Sequence, residues 1–252
     1  MFDSHAHYDD KKFDGDRDSL LRSFQFRGVT GVVNAGCSIP SSYSSIELAE
    51  KYDYMYAAVG IHPNDCLKTE DGYLKELEQL IKHKKAVAIG EIGLDYHWKT
   101  VPKEVQRKFF VEQLELAQSL NVPVVIHARE AVGECVDTVL SYKGLRGLFH
   151  SFSGSAEIAK RLQKAGWYIS FSGPCTFENA CNLRETIKEC DINLMLTETD
   201  APYLTPHPFR RDRNDSTYIK YIIEKISELK NIPYNQVEKI TEENARKIYG
   251  IE

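Results

Sequence analysis

Eight short apolar runs, alternating with longer polar stretches, restrict the fold of this chain more than any other feature. They lie at 1–5, 29–35, 54–61, 86–91, 122–127, 146–150, 167–172 and 193–197. They are rich in Val, Ile, Leu and aromatic residues, and most lack a polar face. Runs of this kind suit parallel strands buried on both sides. The segments at 16–26, 41–51, 72–82, 103–120, 133–142, 156–165 and 217–229 have helical spacing, and 234–249 reads as two short closing helices. The clearest is 103–120, where Val105, Phe109, Leu116 and Leu120 recur among charged residues. Strands alternating with helices over 252 residues predict an α/β protein, a TIM-like (β/α)8 barrel, with 1–252 as a single domain. A doubly wound sheet is the alternative, but no G-x-G-x-x-G follows the first run.

Composition narrows the function. The chain is 42% hydrophobic and 27% charged, ordinary values for a folded domain. A net charge of −5 excludes a globally basic nucleic-acid coat but permits a local basic patch. Six cysteines contain no C-x-x-C pair, so buried reduced thiols are expected, without a zinc-thiolate site. The opening Met1-Phe2-Asp3-Ser4-His5 has neither a basic nor an apolar leader segment, and no apolar run approaches a membrane span. The expectation is a soluble, cytoplasmic, monomeric protein with no membrane partner.

The polar residues fall where the apolar runs end. The first run delivers His5 and His7, the third leads to His62, and the fourth ends at Glu91. The fifth and sixth end at His127 and His150, and the eighth leads to Asp200. In a parallel barrel these ends share one rim, where barrel enzymes keep their active sites. His5 and His7, two residues apart on a strand, point to the same side. A lone histidine after a buried strand is more often a hydrogen-bonded core residue; recurrence at equivalent positions shifts the balance toward ligation. Glu91, flanked by Gly90 and Gly93, needs a compensating charge if buried. In Glu198-Thr199-Asp200 either acid suits a ligand, and Glu198 suits equally well a support for a neighbouring side chain.

Four histidines and two acids suit divalent ions such as Zn²⁺, Mn²⁺ or Co²⁺. Six protein ligands exceed what one catalytic zinc needs, whereas two ions sharing Glu91 would use them fully. Such a pair activates water for hydrolysis at a phosphorus or carbonyl centre. No G-x-S-x-G, catalytic-cysteine or Walker motif competes. For the substrate side, the loop after Asp200 carries Arg210, Arg211 and Arg213, whose forks match phosphate. A solvated charged loop is an equally good reading of it. Arg129 and His62 are further phosphate candidates, and Tyr203 and Phe209 candidates for stacking on bases.

Together these segments resemble the TatD family of metal-dependent deoxyribonucleases, within the amidohydrolase-like barrel hydrolases. The matching pieces are Asp3-Ser4-His5-Ala6-His7, Val59-Gly60-Ile61-His62-Pro63, Gly90-Glu91-Ile92-Gly93-Leu94-Asp95-Tyr96, Val124-Val125-Ile126-His127-Ala128-Arg129-Glu130-Ala131, His150-Ser151-Phe152-Ser153-Gly154 and Glu198-Thr199-Asp200-Ala201-Pro202-Tyr203-Leu204. They span nearly the whole chain. The resemblance implies two divalent cations (Zn²⁺, Mn²⁺ or Mg²⁺), one held by His5, His7, Glu91 and Asp200, the other by Glu91, His127 and His150. It implies Asp200 as activator of the attacking water, Glu91 as bridge, and DNA, single-stranded or at its ends, as the substrate of a 3′–5′ exonuclease. His62, Arg129, Tyr203 and Arg210 are the expected substrate contacts. One stretch departs from the family: Phe209, Arg211 and Ser216 stand where it usually carries His, Gly and Pro. Two other functions fit the same ligands: hydrolysis of C–N or ester bonds, such as deacylation of aminoacyl-tRNA, and a non-catalytic metal-binding scaffold.

Overall fold

The computed structural model describes residues 1–252. Its strands are β1 (Phe2–Ala6), β2 (Gly31–Ala35), β3 (Met55–Val59), β4 (Ala86–Asp95), β5 (Val124–Arg129), β6 (Gly147–Phe149), β7 (Tyr168–Phe171) and β8 (Met195–Thr197). They form one sheet in the order of the sequence, with parallel pairing, and alternate with helices. This is the TIM-like α/β barrel that the alternation predicts. The helices are α1 (Arg17–Ser23), α2 (Ile39–Lys51), α3 (Tyr73–Leu80), α4 (Lys103–Leu120), α5 (Val132–Ser141), α6 (Ala156–Lys164), α7 (Cys181–Glu189), α8 (Ile219–Lys230) and α9 (Tyr234–Tyr249). No helix is long and apolar enough to cross a membrane. The chain forms two compact units, Met1–Val33 with Ser151–Glu252, and Asn34–His150.

In the first unit, the two ends of the sequence are stitched together. Asp200 donates its N–H to His5 O (3.0 Å), His7 donates its N–H to Ala201 O (2.7 Å), and Ser4 Oγ donates to Thr197 O (3.0 Å). The closing segment is one continuous helix, α9, where two short ones were expected. Its continuity has a use: Tyr249 donates its hydroxyl to Ser4 O (2.8 Å) in β1, and Asn244 donates to Met195 O (2.8 Å) in β8. The first and last strands therefore hang from one rigid rod. Helix α7 is not among the segments with helical spacing. Its sequence is mostly polar, and within it only Thr186 and Ile187 are buried, so its apolar stripe is too thin to see.

In the second unit, α4 faces inward with Gln106, Phe110, Gln113, Leu114 and Ala117. The expected stripe of Val105, Phe109, Leu116 and Leu120 lies only half-buried beside it. Burying two glutamines is tolerated because each pairs with the N–H and C=O of one backbone residue, Asp95 at the end of β4 and Ile61 just beyond β3. Gln113 accepts the Ile61 N–H (2.7 Å) and donates to Ile61 O (3.2 Å). Gln106 accepts the Asp95 N–H (2.8 Å) and donates to Asp95 O (2.9 Å). Both clamps lie beside chemistry-bearing residues, His62 and Asp95.

Candidate metal centre

In the first unit, the stitching of β1 to the segment after β8 converges three ligand atoms. His5 Nε2 lies 3.1 Å from His7 Nε2, and Asp200 Oδ1 lies 3.7 Å from the former and 3.3 Å from the latter. Beneath them Asp3 is wholly buried. Its carboxylate accepts from Thr199 N–H (2.9 Å), Thr199 hydroxyl (2.6 Å) and Ser216 hydroxyl (2.6 Å). Burial pushes its pKa up to about 7, although the Ser216 and Thr199 bonds favour the ionised form. Asp3 thus shapes the backbone that carries Asp200. Of the two acids left open by the sequence, Asp200 joins the triangle, while Glu198 accepts the Ser151 N–H (2.8 Å).

The second unit builds another triangle. Glu91 Oε1 lies 2.6 Å from His127 Nδ1 and 2.8 Å from His150 Nε2, and the two ring nitrogens are 3.1 Å apart. Glu91 does not end its strand as the apolar run suggested; β4 continues to Asp95, with an irregular register between Ile89 and Ile92. His127 likewise sits inside β5, two residues before its end. At Gly93, φ is +145°, and a Cβ would stand 2.0 Å from His127 O, so only glycine admits this approach of β4 to β5.

Asp95 organises this triangle, a role that its place in the segment 90–96 does not reveal. Its Oδ2 lies 3.1 Å from His127 Nε2. The bond orients the ring and leaves Nδ1 facing Glu91 and His150, the arrangement by which outer carboxylates fix ligating histidines. Burial raises the Asp95 pKa, but bonds from His127, Trp98 and Asn64 outweigh it and hold the value at about 2. Burial likewise lowers the His127 pKa, and Glu91 and Asp95 outweigh it and leave it raised. A cation entering here would displace a proton from that ring.

His62 stands at the edge of the triangle, its ring centroid 4.4 Å from that of His127. Its Nδ1 accepts the Asn64 N–H (3.1 Å), so the neutral ring carries its proton on Nε2, 3.7 Å from Glu91 Oε1. His62 Nε2 is therefore the donor nitrogen of this ring.

Donors held about 2.0–2.2 Å from one ion lie roughly 2.8–3.6 Å apart, from octahedral to tetrahedral geometry. The edges of both triangles, 3.1–3.7 Å and 2.6–3.1 Å, fall around that range. The imidazole and carboxylate donors suit a divalent cation. The residues present fit the metal that the motifs imply.

The expected substrate residues divide. Arg129 is exposed, with its guanidinium 5.6 Å from the Trp98 ring centroid. Tyr203 donates its hydroxyl to Asp10 (2.6 Å), and Lys12 lies 4.2 Å over its ring. Arg210 lies 4.1 Å over the Phe177 ring. The loop at 206–215 offers less than its composition promised. Arg213 is spent on a two-pronged pair with Asp16 (both 2.7 Å). Phe209, expected as a stacking surface, packs instead against Tyr218 and Tyr221, with ring centroids 5.4 and 5.0 Å away.

The family model described as TatD related DNase matches residues 2–250. The metal-dependent hydrolase YabD of Bacillus subtilis is 41% identical over 254 residues, covering 100% of this chain and 99% of its own. The metal-dependent hydrolase TatD of Mycobacterium tuberculosis is 36% identical over 263 residues, covering 100% of this chain and 98% of its own. The crystal structure of YJJV, a TatD homologue from Escherichia coli, superposes with a TM-score of 0.94 at 28% identity, covering 100% of this chain and 98% of its own. The chain belongs to the TatD family of metal-dependent hydrolases.

Proposed function

We propose that this protein hydrolyses phosphodiester bonds in DNA, using two divalent cations. The observation that carries the reading is the pair of three-donor triangles, His5–His7–Asp200 and Glu91–His127–His150, in a chain whose whole length matches the TatD related DNase family. In this reading residues 1–252 act as one domain. His5, His7 and Asp200 would hold one cation, and Glu91, His127 and His150 the second. When bound, the cations supply Lewis acidity and lower the pKa of water.

The chain's own residues do the rest. Asp200, only partly buried, takes the proton of the attacking water. His62, fixed as the Nε2–H tautomer by the Asn64 amide, donates to a phosphoryl oxygen. Asp95 keeps His127 in its ligating orientation. Arg129 and Arg210, exposed and without carboxylate partners, take phosphates further along the strand, and Tyr203 lines the approach beside His7.

The test is cleavage of single-stranded DNA by the purified protein with Mg²⁺, Mn²⁺ or Zn²⁺. Wild type should require the metal, and His127→Ala and Asp200→Asn should each lose at least about 100-fold, the upper end of what outer-sphere changes cost. Cleavage in the presence of chelator, or variants as active as wild type, would overturn the reading.

A further inference from the structure

The loop after β4 leaves a large apolar side chain in water. Trp98 is 52% exposed, whereas the other tryptophan, Trp167, is 2% exposed. This loop is not slack. Asp95 Oδ1 accepts the N–H groups of His97 (3.0 Å) and Trp98 (3.1 Å), a side-chain-capped turn. Tyr96 donates its N–H to Arg129 O (2.9 Å), and Gln106 clamps the Asp95 backbone from below. The indole is held out on a rigid stem.

Beside it stands Arg129, the last residue of β5 and the register partner of Asp95. Its guanidinium makes no hydrogen bond or ion pair and lies 5.6 Å from the centroid of the indole ring. The neighbouring acids are engaged elsewhere: Glu130 with His97 (2.7 Å), and Glu134 with Tyr96 (2.9 Å) and Arg107. Lys99 and Lys103 are exposed on the same segment. An aromatic face and an uncommitted cation side by side, among further cations, match one chemistry: a flat base carrying an adjoining phosphate.

We propose that Trp98 and Arg129 form a subsite for one nucleotide of a single strand, the indole stacking on the base and the guanidinium binding its phosphate. This rests on the nucleic-acid reading above. The subsite is tied to the triangle, because the carboxylate that builds its turn through Oδ1 orients His127 through Oδ2. Stacking on an indole is tolerant of sequence, since every base has a π-face. The subsite therefore sets affinity for strand, not for base identity.

Two measurements test it. With Trp167 buried, quenching of intrinsic fluorescence by a short oligothymidylate reports on Trp98; it should saturate in wild type and vanish in Trp98→Phe. In cleavage assays, Trp98→Ala should raise KM for the oligonucleotide roughly 5- to 150-fold with kcat changed far less, which is the fold-change of one lost base stack. Trp98→Phe should recover most of the loss. An oligonucleotide with abasic residues should erase the difference between wild type and Trp98→Ala. If wild type cleaves DNA but Trp98→Ala keeps its KM, the subsite is overturned and the nuclease reading stands. If wild type cleaves no DNA, the nuclease reading fails, and the quenching alone decides: its presence in wild type supports the subsite, and its absence overturns it.

Discussion

The two donor triangles are held by different means. His5, His7 and Asp200 are positioned by backbone, through the two N–H···O bonds that join β1 to the segment after β8, over the buried carboxylate of Asp3. Glu91 and His127 lie within β4 and β5 and His150 directly follows β6, and a side chain, Asp95, aims the central ring. A triangle held by backbone fails when the fold fails. A triangle aimed by a side chain can be detuned while the fold stands.

The largest expected effect attacks the first. Asp3→Ala strands the buried donors of Thr199 and Ser216, at a cost of about 3 kcal/mol. For a chain of this size that is a fall in Tm of roughly 6–12 °C, readable in a thermal melt. An unchanged Tm would remove Asp3 from its structural role. Next in size, Asp95→Asn should weaken metal affinity by about 10- to 100-fold, measured by competition with a chelating dye, while Tm falls much less than in Asp3→Ala. If Asp95→Asn melts as low as Asp3→Ala, the contrast between the triangles collapses.

Smaller effects separate Arg213, in the loop at 206–215, from Arg129, at the end of β5. Arg213→Ala should cost about 1 kcal/mol of stability, through its pair with Asp16, and leave KM for DNA unchanged. Arg129→Ala should do the reverse, raising KM without moving the urea midpoint. The smallest effect is chemical. Burial pushes the thiols of Cys135 and Cys175, one in each unit, up to about 12. A thiol reagent at mildly alkaline pH should label exposed Cys181 at once and reach these two only on unfolding, followed by mass spectrometry. Early labelling of either would mark its unit as the looser one.

Much of this architecture is legible in the sequence, for a physical reason. A strand buried on both faces must be apolar along its length, so a histidine or acid beside such a run stands out. That contrast exposed His5, His7, His127, His150 and Asp200 as candidates. It misplaced Glu91, because β4 carries Leu94 beyond it and closes only at Asp95. It hid Gln106 and Gln113, because a polar residue on a helix reads as solvent-facing unless its backbone partner is known. It hid α7, whose stripe is too thin to register.

The arginines mark the boundary most clearly. By composition the loop at 206–215, with three guanidiniums, reads equally well as a phosphate site or as a solvated charged loop. Asp16 consumes one of them. Arg129, which looks isolated in sequence, is the one left with an exposed fork beside an exposed indole.

The sequence by itself determined the strand–helix alternation, the types of donor atom and the strands that carry them. These follow from periodicity and side-chain chemistry, which act over a few residues. The tertiary structure alone decided which histidine nitrogen faces the triangle, which tautomer His62 adopts and which arginine is already paired. Each depends on a partner brought near by folding: Asp95 for His127, the Asn64 amide for His62, Asp16 for Arg213. Hydrogen bonds and ion pairs act over a few ångströms, and only packing determines which groups come that close.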